Sequence, residues 1–235
     1  MTIVLPIRNH KKSYTVNPQK IIALGLNYAE HIRESDNIHV SGLRNEIPRE
    51  PILFNKTPNV LIGPGEAIVI PKFVREYQFE STRTDYEAEL AIIIKDRCKN
   101  ITSEEAYEHI LGFTCMNDVS QRNLQSTDKS GWFRGKSLDT FGPIGPRLVY
   151  NGDINPQDLE IRCRLNGKQV QDSNTKHMIF KIPEILAFVS RNFTLEPGDI
   201  VTTGTPSGVG PIKHGDIVEV EIEGIGVLRN PVVEE

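Results

Sequence analysis

Long apolar runs are missing from this sequence of 235 residues: Ala91 to Ile94 is typical of the longest, and none approaches the roughly 20 residues that a membrane-spanning helix needs. Met1 to Lys12 carries charge without an apolar core, which predicts no secretory signal. Cysteine is scarce. Cys98, Cys115 and Cys163 are odd in number, far apart and never in a C-x-x-C, so neither a disulfide framework nor a zinc site is expected, and a reducing cytoplasm is the expected location. Positive charge is not in excess: Lys+Arg 27 against Asp+Glu 31 gives a net charge of −4. That excludes the basic field that nucleic acid or an anionic membrane would require of a partner. The G-x-x-x-x-G-K-[ST], H-E-x-x-H, G-x-S-x-G and G-x-G-x-x-G motifs are absent as well, which argues against P-loop ATPases, zincins, elbow-type serine hydrolases and Rossmann enzymes. There is no internal repeat and no low-complexity segment.

What is present is turn chemistry. Gly 18 and Pro 15 together make about one residue in seven, which favours many turns over long helices. Residues 1–17 read as a small N-terminal β appendage and 18–235 as one catalytic domain, since no linker divides the chain. Ile21 to Leu24 is a short apolar strand. Asn27 with Glu30 has the spacing of a capping box opening a helix. Ser35 to Pro51 is polar and aperiodic, and reads as a long loop of the kind that serves as a lid, ordering over a bound substrate. Strands are expected at Asp85 to Ile94, Leu111 to Met116, Leu159 to Leu165, Ile200 to Thr203 and Ile217 to Ile222, with helical stretches at Ser103 to His109, Ser120 to Gln125 and Pro183 to Phe193. Asn166-Gly167 marks a hairpin and Pro197-Gly198-Asp199 a turn. The fold class is β-rich α+β with a few short helices.

Several clusters could carry chemistry. On one strand Asp85, Glu87 and Glu89 face the same way, about 6.6 Å apart at each step. They suit either a solvated edge or, because Leu90 to Ile94 demands burial on both faces, a hard divalent cation at the mouth of a buried strand. Asp118 follows a strand and reads either as an N-cap or, with Arg122 and Gln125 at i+4 and i+7 on one helical face, as part of a site for a carboxylate substrate. His31 and Glu34 stand one helical turn apart, either an exposed ion pair or a dyad able to activate water. Lys136 lies between Gly135 and Ser137, where small neighbours permit close backbone approach; the alternative is a surface lysine in a loop. Thr203 to Gly210 is a Gly-rich loop after a strand, able to present amides and the Thr205 hydroxyl to an anion, or simply a tight turn.

Taken in order, seven segments resemble the fumarylacetoacetate hydrolase superfamily, specifically its short prokaryotic-type members. They are Gly25 to His31, Glu50 to Lys56, Asp85 to Leu90, Asn117 to Gln125, Gly135 to Ser137, Thr203 to Gly210 and Glu219 to Gly226. The resemblance implies a mixed β-sandwich roll, a homodimer and a small-molecule 2-oxo acid substrate. It implies Mg²⁺ or Mn²⁺ (Ca²⁺ in some members) held by Glu87, Glu89 and Asp118, with Asp85 a neighbour of the site. It also implies His31, Glu34 and Lys136 as catalytic groups, and Arg122, Gln125 and Thr205 as substrate-binding ones. The implied reaction is hydrolytic cleavage of a C–C bond in a 2,4-dioxo acid; oxaloacetate decarboxylation, or isomerisation or tautomerisation of an unsaturated oxo acid, uses the same electron sink. The stretch Ser126 to Arg134 leaves the substrate-side wall open.

Overall fold

The structure is a computed structural model describing residues 2–35, 47–129 and 132–235. In chain order its strands are β1 Ile3–Pro6, β2 Ser13–Val16, β3 Ile21–Gly25, β4 Ile52–Lys56, β5 Leu61–Ile62, β6 Ile68–Ile70, β7 Thr84–Tyr86, β8 Ala88–Ile94, β9 Ile110–Asn117, β10 Ser120–Gln121, β11 Gly142–Tyr150, β12 Glu160–Leu165, β13 Lys168–Asn174, β14 Ile200–Thr202, β15 Gly210–Pro211, β16 Ile217–Ile222 and β17 Gly226–Glu234. The helices are α1 Ala29–Ser35, α2 Arg122–Thr127, α3 Phe133–Lys136 and α4 Ile182–Asn192. The fold is strand-rich with short helices, as the composition predicts. Among the described residues no helix is long and apolar enough to cross a membrane.

Two sheets face each other across the main core. One has the order β4-β3-β14-β8-β9-β11-β5, the other β13-β12-β16-β17-β6, and a small sheet β10-β7-β15 sits at one end. β8 lies near the middle of the first sheet and is buried along its whole length. Leu90, Ile92 and Ile94 join Ile161, Cys163, Val218, Val220 and Ile222 in the main core. Ala91 and Ile93 point the other way, where Ile3, Leu5, Ile7 and Val16 of the β1–β2 hairpin cover them. Each fully buried aliphatic side chain contributes about 1.5–3 kcal/mol, so a central strand covered on both faces is a rigid base for a site at its end. α4 closes the core with Ile182, Ile185, Leu186 and Val189 at helical spacing, and Pro183 stands in its first turn. The β12–β13 hairpin turns at Asn166 and Gly167, both with positive φ (53° and 79°), the pairing a tight two-residue turn requires.

Local structure departs from expectation where polar residues have long-range partners. Asn27 does not cap α1: its Nδ2 donates to Phe180 O (3.1 Å) and Thr203 O (2.8 Å), and its Oδ1 accepts from Phe180 N–H, so it ties the helix base to two distant segments. The Asp85-to-Ile94 strand is interrupted at Glu87, where the chain passes from the small sheet to the large one. Ser120 and Gln121 pair with β7 rather than starting a helix; α2 begins at Arg122, with the Gln121 side chain accepting from Leu124 N–H. Only Ala106–His109 of the stretch from Ser103 is helical, and it is a 3₁₀ turn. The lid expected over Ser35 to Pro51 falls largely on residues 36–46, outside the described residues.

Candidate active site

The break at Glu87 is built by hydrogen bonds to both sides of the chain. Glu87 N–H donates to Asn117 Oδ1 (2.9 Å), Asp118 N–H to Glu87 O (2.8 Å) and Ala88 N–H to Gln171 Oε1 (3.0 Å). The end of β9 is thereby held against the junction of β7 and β8. Ligand oxygens of Glu87, Glu89 and Asp118 all lie within 4.8 Å of one another, and all three residues are buried. The solvated-edge alternative for Glu87 and Glu89 therefore does not hold.

Cations hold part of this cluster. Lys136 Nζ donates to Glu87 Oε2 and Asp118 Oδ2, each at 2.7 Å. Arg122 reaches Asp85 Oδ2 (2.8 Å), Gln125 Oε1 (2.9 Å) and Glu87 Oε1 (2.5 Å), so all three guanidinium nitrogens have protein partners. Burial alone would push the Glu87 carboxyl up, but Lys136 and Arg122 outweigh it and hold it well below the usual range. Burial would lower the Lys136 ammonium, but Asp118 and Glu87 raise it above its ordinary value. Lys136 is 2% exposed and sits at the end of α3, not in a surface loop. Gly135 makes this possible: a Cβ there would lie 2.7 Å from Gln121 O and 2.8 Å from Gln125 N.

Glu89 is different. Gly204 N–H donates to its Oε2 (3.0 Å), while Oε1 is buried with no hydrogen-bond partner. Burial first, then the charges of Asp118 and Glu87, push its carboxyl well above the ordinary range. A buried acid with an orphaned oxygen, converging with two carboxylates, fits a hard divalent cation. Asp118 fits the same group but is not on the helical face of Arg122 and Gln125: it lies before β10, four residues ahead of α2, and is joined to Glu87, the partner of Arg122, through Lys136.

His31 is 7% exposed, with its Nδ1 3.5 Å from Glu34 Oε2. Gly208 N–H donates to that same oxygen (2.8 Å). Burial would raise the Glu34 carboxyl, but the hydrogen bonds from His31 and Gly208 leave it lowered. An ionised Glu34 only accepts, so the His31 nitrogen that faces it, Nδ1, is the one that carries a proton. Thr205 is buried and accepts from Gln171 Nε2 (2.9 Å).

Lys56 escaped the sequence reading. It is fully buried at the end of β4, donating to Asp118 Oδ1 (2.6 Å) and Val119 O (3.2 Å). Burial lowers its ammonium below the ordinary range, with Asp118 opposing. A lysine closing an apolar strand carries no periodic signature; only its burial marks it. A side wall is visible too: the Lys136 ammonium lies 4.8 Å from the Phe54 ring centre, and Trp132 meets Phe54 edge-on at 5.3 Å. Trp132 belongs to the stretch Ser126 to Arg134.

Fold and site together place the chain in one family. The family model described as fumarylacetoacetate (FAA) hydrolase C-terminal matches residues 20–233, and the chain belongs to that family. It is 48% identical over 236 residues to an uncharacterised protein of Pyrococcus abyssi, covering 99% of this chain and 97% of that one. It is 44% identical to the mitochondrial oxaloacetate tautomerase fahd2 of Xenopus laevis, covering 92% of this chain and 66% of the relative. Among solved structures, a fumarylpyruvate hydrolase from Pseudomonas aeruginosa in complex with Mn²⁺ and pyruvate aligns with TM-score 0.85 at 28% identity, covering 100% of this chain and 97% of that chain. The relatives that are named for an activity are enzymes, a tautomerase and a hydrolase among them.

Proposed function

We propose that the chain is a divalent-metal-dependent enzyme acting on a small 2-oxo acid, working in the cytoplasm as a homodimer, and that its reaction is hydrolytic cleavage of a C–C bond in a 2,4-dioxo acid of the acylpyruvate type. The observation that carries this reading is Glu89, whose buried Oε1 has no partner while oxygens of Glu87 and Asp118 lie within 4.8 Å. Glu87, Glu89 and Asp118 would hold the ion. A bound Mg²⁺ or Mn²⁺ would supply Lewis-acid polarisation of the substrate's oxygens. Charge balance points the same way. Four buried carboxylates (Asp85, Glu87, Glu89, Asp118) are met by three buried cations (Lys56, Arg122, Lys136) and by the half-exposed Arg83 on Asp85, so a dication leaves net positive charge for an anionic substrate.

The chain's own groups divide the remaining work. Glu34 orients His31, and Nε2 takes a proton from water; the hydroxide attacks the distal carbonyl. The C–C bond breaks with its electron pair leaving on the pyruvate unit as an enolate, and Lys136 offers its ammonium to the oxygen where that charge develops. Reprotonation of the enolate carbon gives pyruvate beside the carboxylic acid. Arg122, with one protein acceptor on each guanidinium nitrogen, orients Gln125 by holding its Oε1 and keeps two further N–H groups; these, the Gln125 Nε2 protons and the Thr205 hydroxyl serve the substrate's carboxylate.

A second reading is tautomerisation of oxaloacetate, favoured by the Xenopus relative, which is closer in sequence than the Pseudomonas hydrolase. It needs the same electron sink and a proton shuttle, but no attacking water. A panel of acylpyruvates and oxaloacetate, with and without Mg²⁺ and Mn²⁺, separates the two. His31→Ala is expected to lower acylpyruvate cleavage by at least about 10²-fold, within the range of a general base, and Glu34→Gln to lower it less. Oxaloacetate tautomerisation by the parent protein, lost in His31→Ala, with no acylpyruvate turnover would establish the second reading. Metal-independent turnover of every substrate would sink both.

A further inference from the structure

Gln171 belongs to none of the segments that point to the family, yet its side chain crosses from the second sheet to the site. It lies on β13 and is 1% exposed. Its Oε1 accepts from Ala88 N–H (3.0 Å), the peptide between Glu87 and Glu89. Its Nε2 donates to Pro206 O (2.8 Å) and to Thr205 Oγ1 (2.9 Å). The loop is seated on the same strand: Gly208, at φ 95°, packs so closely that a Cβ would meet Val170 O at 2.0 Å.

These partners fix which end of the amide faces where. Ala88 N–H requires an acceptor and Pro206 O requires a donor, so the oxygen must face β8 and the nitrogen must face the loop. Thr205 Oγ1 is then obliged to accept from Nε2. A hydroxyl that accepts retains one proton to give, and among the described residues nothing accepts it, although Thr205 is only 2% exposed. A buried hydroxyl with an unused proton awaits an acceptor from outside the protein. Its neighbour in sequence, Gly204, donates its amide to Glu89, so that acceptor would sit beside the carboxylate cluster.

We propose that Gln171 is a positioning residue: it fixes the direction of the Thr205 O–H, making Thr205 a dedicated hydrogen-bond donor to the carboxylate of the bound oxo acid. This rests on the role given to Thr205 under the proposed function, and adds the group that sets its polarity.

The test inverts the polarity. In Gln171→Glu, the oxygen facing Thr205 becomes an acceptor, whether the new carboxyl is ionised or gives its single proton to Pro206 O. The Thr205 proton then turns away from the site. The readout is calorimetric affinity for oxalate with saturating Mg²⁺, alongside Mg²⁺ affinity without oxalate. Thr205→Val is expected to weaken oxalate by about tenfold or more, the size of a hydrogen bond to a charged group. Gln171→Glu should weaken it to the same degree, and the double variant should be no worse than either single one, with Mg²⁺ affinity within about twofold of the parent throughout. Multiplying losses in the double variant, or unchanged oxalate affinity in Gln171→Glu alone, would overturn the inference and leave Gln171 as a loop support. Unchanged affinity in Thr205→Val would instead overturn the role of Thr205 itself, and the inference with it. If Gln171→Glu fails to fold, Gln171→Met serves: Thr205→Val must then cost less on that background than on the parent, and equal costs on both would refute the proposal.

Discussion

Glu87 and Glu89 lie two residues apart on one stretch of backbone, both buried, yet their surroundings are opposites. Glu87 has a cation on each oxygen, Arg122 on Oε1 and Lys136 on Oε2, and its carboxyl is held low despite burial. Glu89 has one amide on Oε2 and no hydrogen bond of ordinary geometry on Oε1, and burial with two neighbouring carboxylates holds its carboxyl high against the nearby Thr202 hydroxyl. The Glu87 corner is charge-matched by protein cations; the Glu89 corner is not. One pair of residues therefore separates charge that the fold matches from charge that it leaves unmatched.

The largest effect is expected at Glu89. Glu89→Gln should reduce metal-dependent turnover to background, and Mn²⁺, which raises the melting temperature of the parent by preferential binding to the folded state, should leave that of the variant unmoved. Measurable Mn²⁺ stabilisation of the variant would remove Glu89 from the ligand set. Next comes Glu87→Gln, which takes one partner from two buried cations and should destabilise the fold by about 3–5 kcal/mol in denaturant titrations, even in EDTA. If Glu89→Gln destabilised the metal-free protein as much as Glu87→Gln, the contrast between the two corners would be wrong. The smallest effect is indirect. Gly135→Ala places a methyl against the backbone of residues 121 and 125, pushing α3 and Lys136 away from Glu87. About 1–3 kcal/mol of stability should go, together with part of the activity. An unchanged melting curve would show that α3 shifts freely.

Much of this site was legible in linear patterns because its residues sit where patterns change. Asp85, Glu87 and Glu89 alternate with apolar residues just before Leu90 to Ile94 turns fully apolar, and that boundary marks the end of a central strand. Gly135 is informative because only a residue without Cβ fits against Gln121 O. The helical-face argument for Asp118, Arg122 and Gln125 failed because a two-residue strand, β10, intervenes; its pairing with β7 is a long-range event that local spacing does not encode. Asn27 failed as a cap for the same reason: its amide found partners at Phe180 and Thr203, more than 150 positions away.

Sequence alone was enough for the β-rich class, since strand alternation and turn residues are local properties of the chain, and for the family, through the seven segments that resemble it. Tertiary structure alone decided which charges are matched. Lys56 reached Asp118 from β4, Gln171 reached Thr205 from another sheet, and Glu89 was left with a bare oxygen. Each of these depends on burial and on partners distant in the chain, and in a buried site the energy of a charge is set by the groups packed against it rather than by its neighbours in sequence.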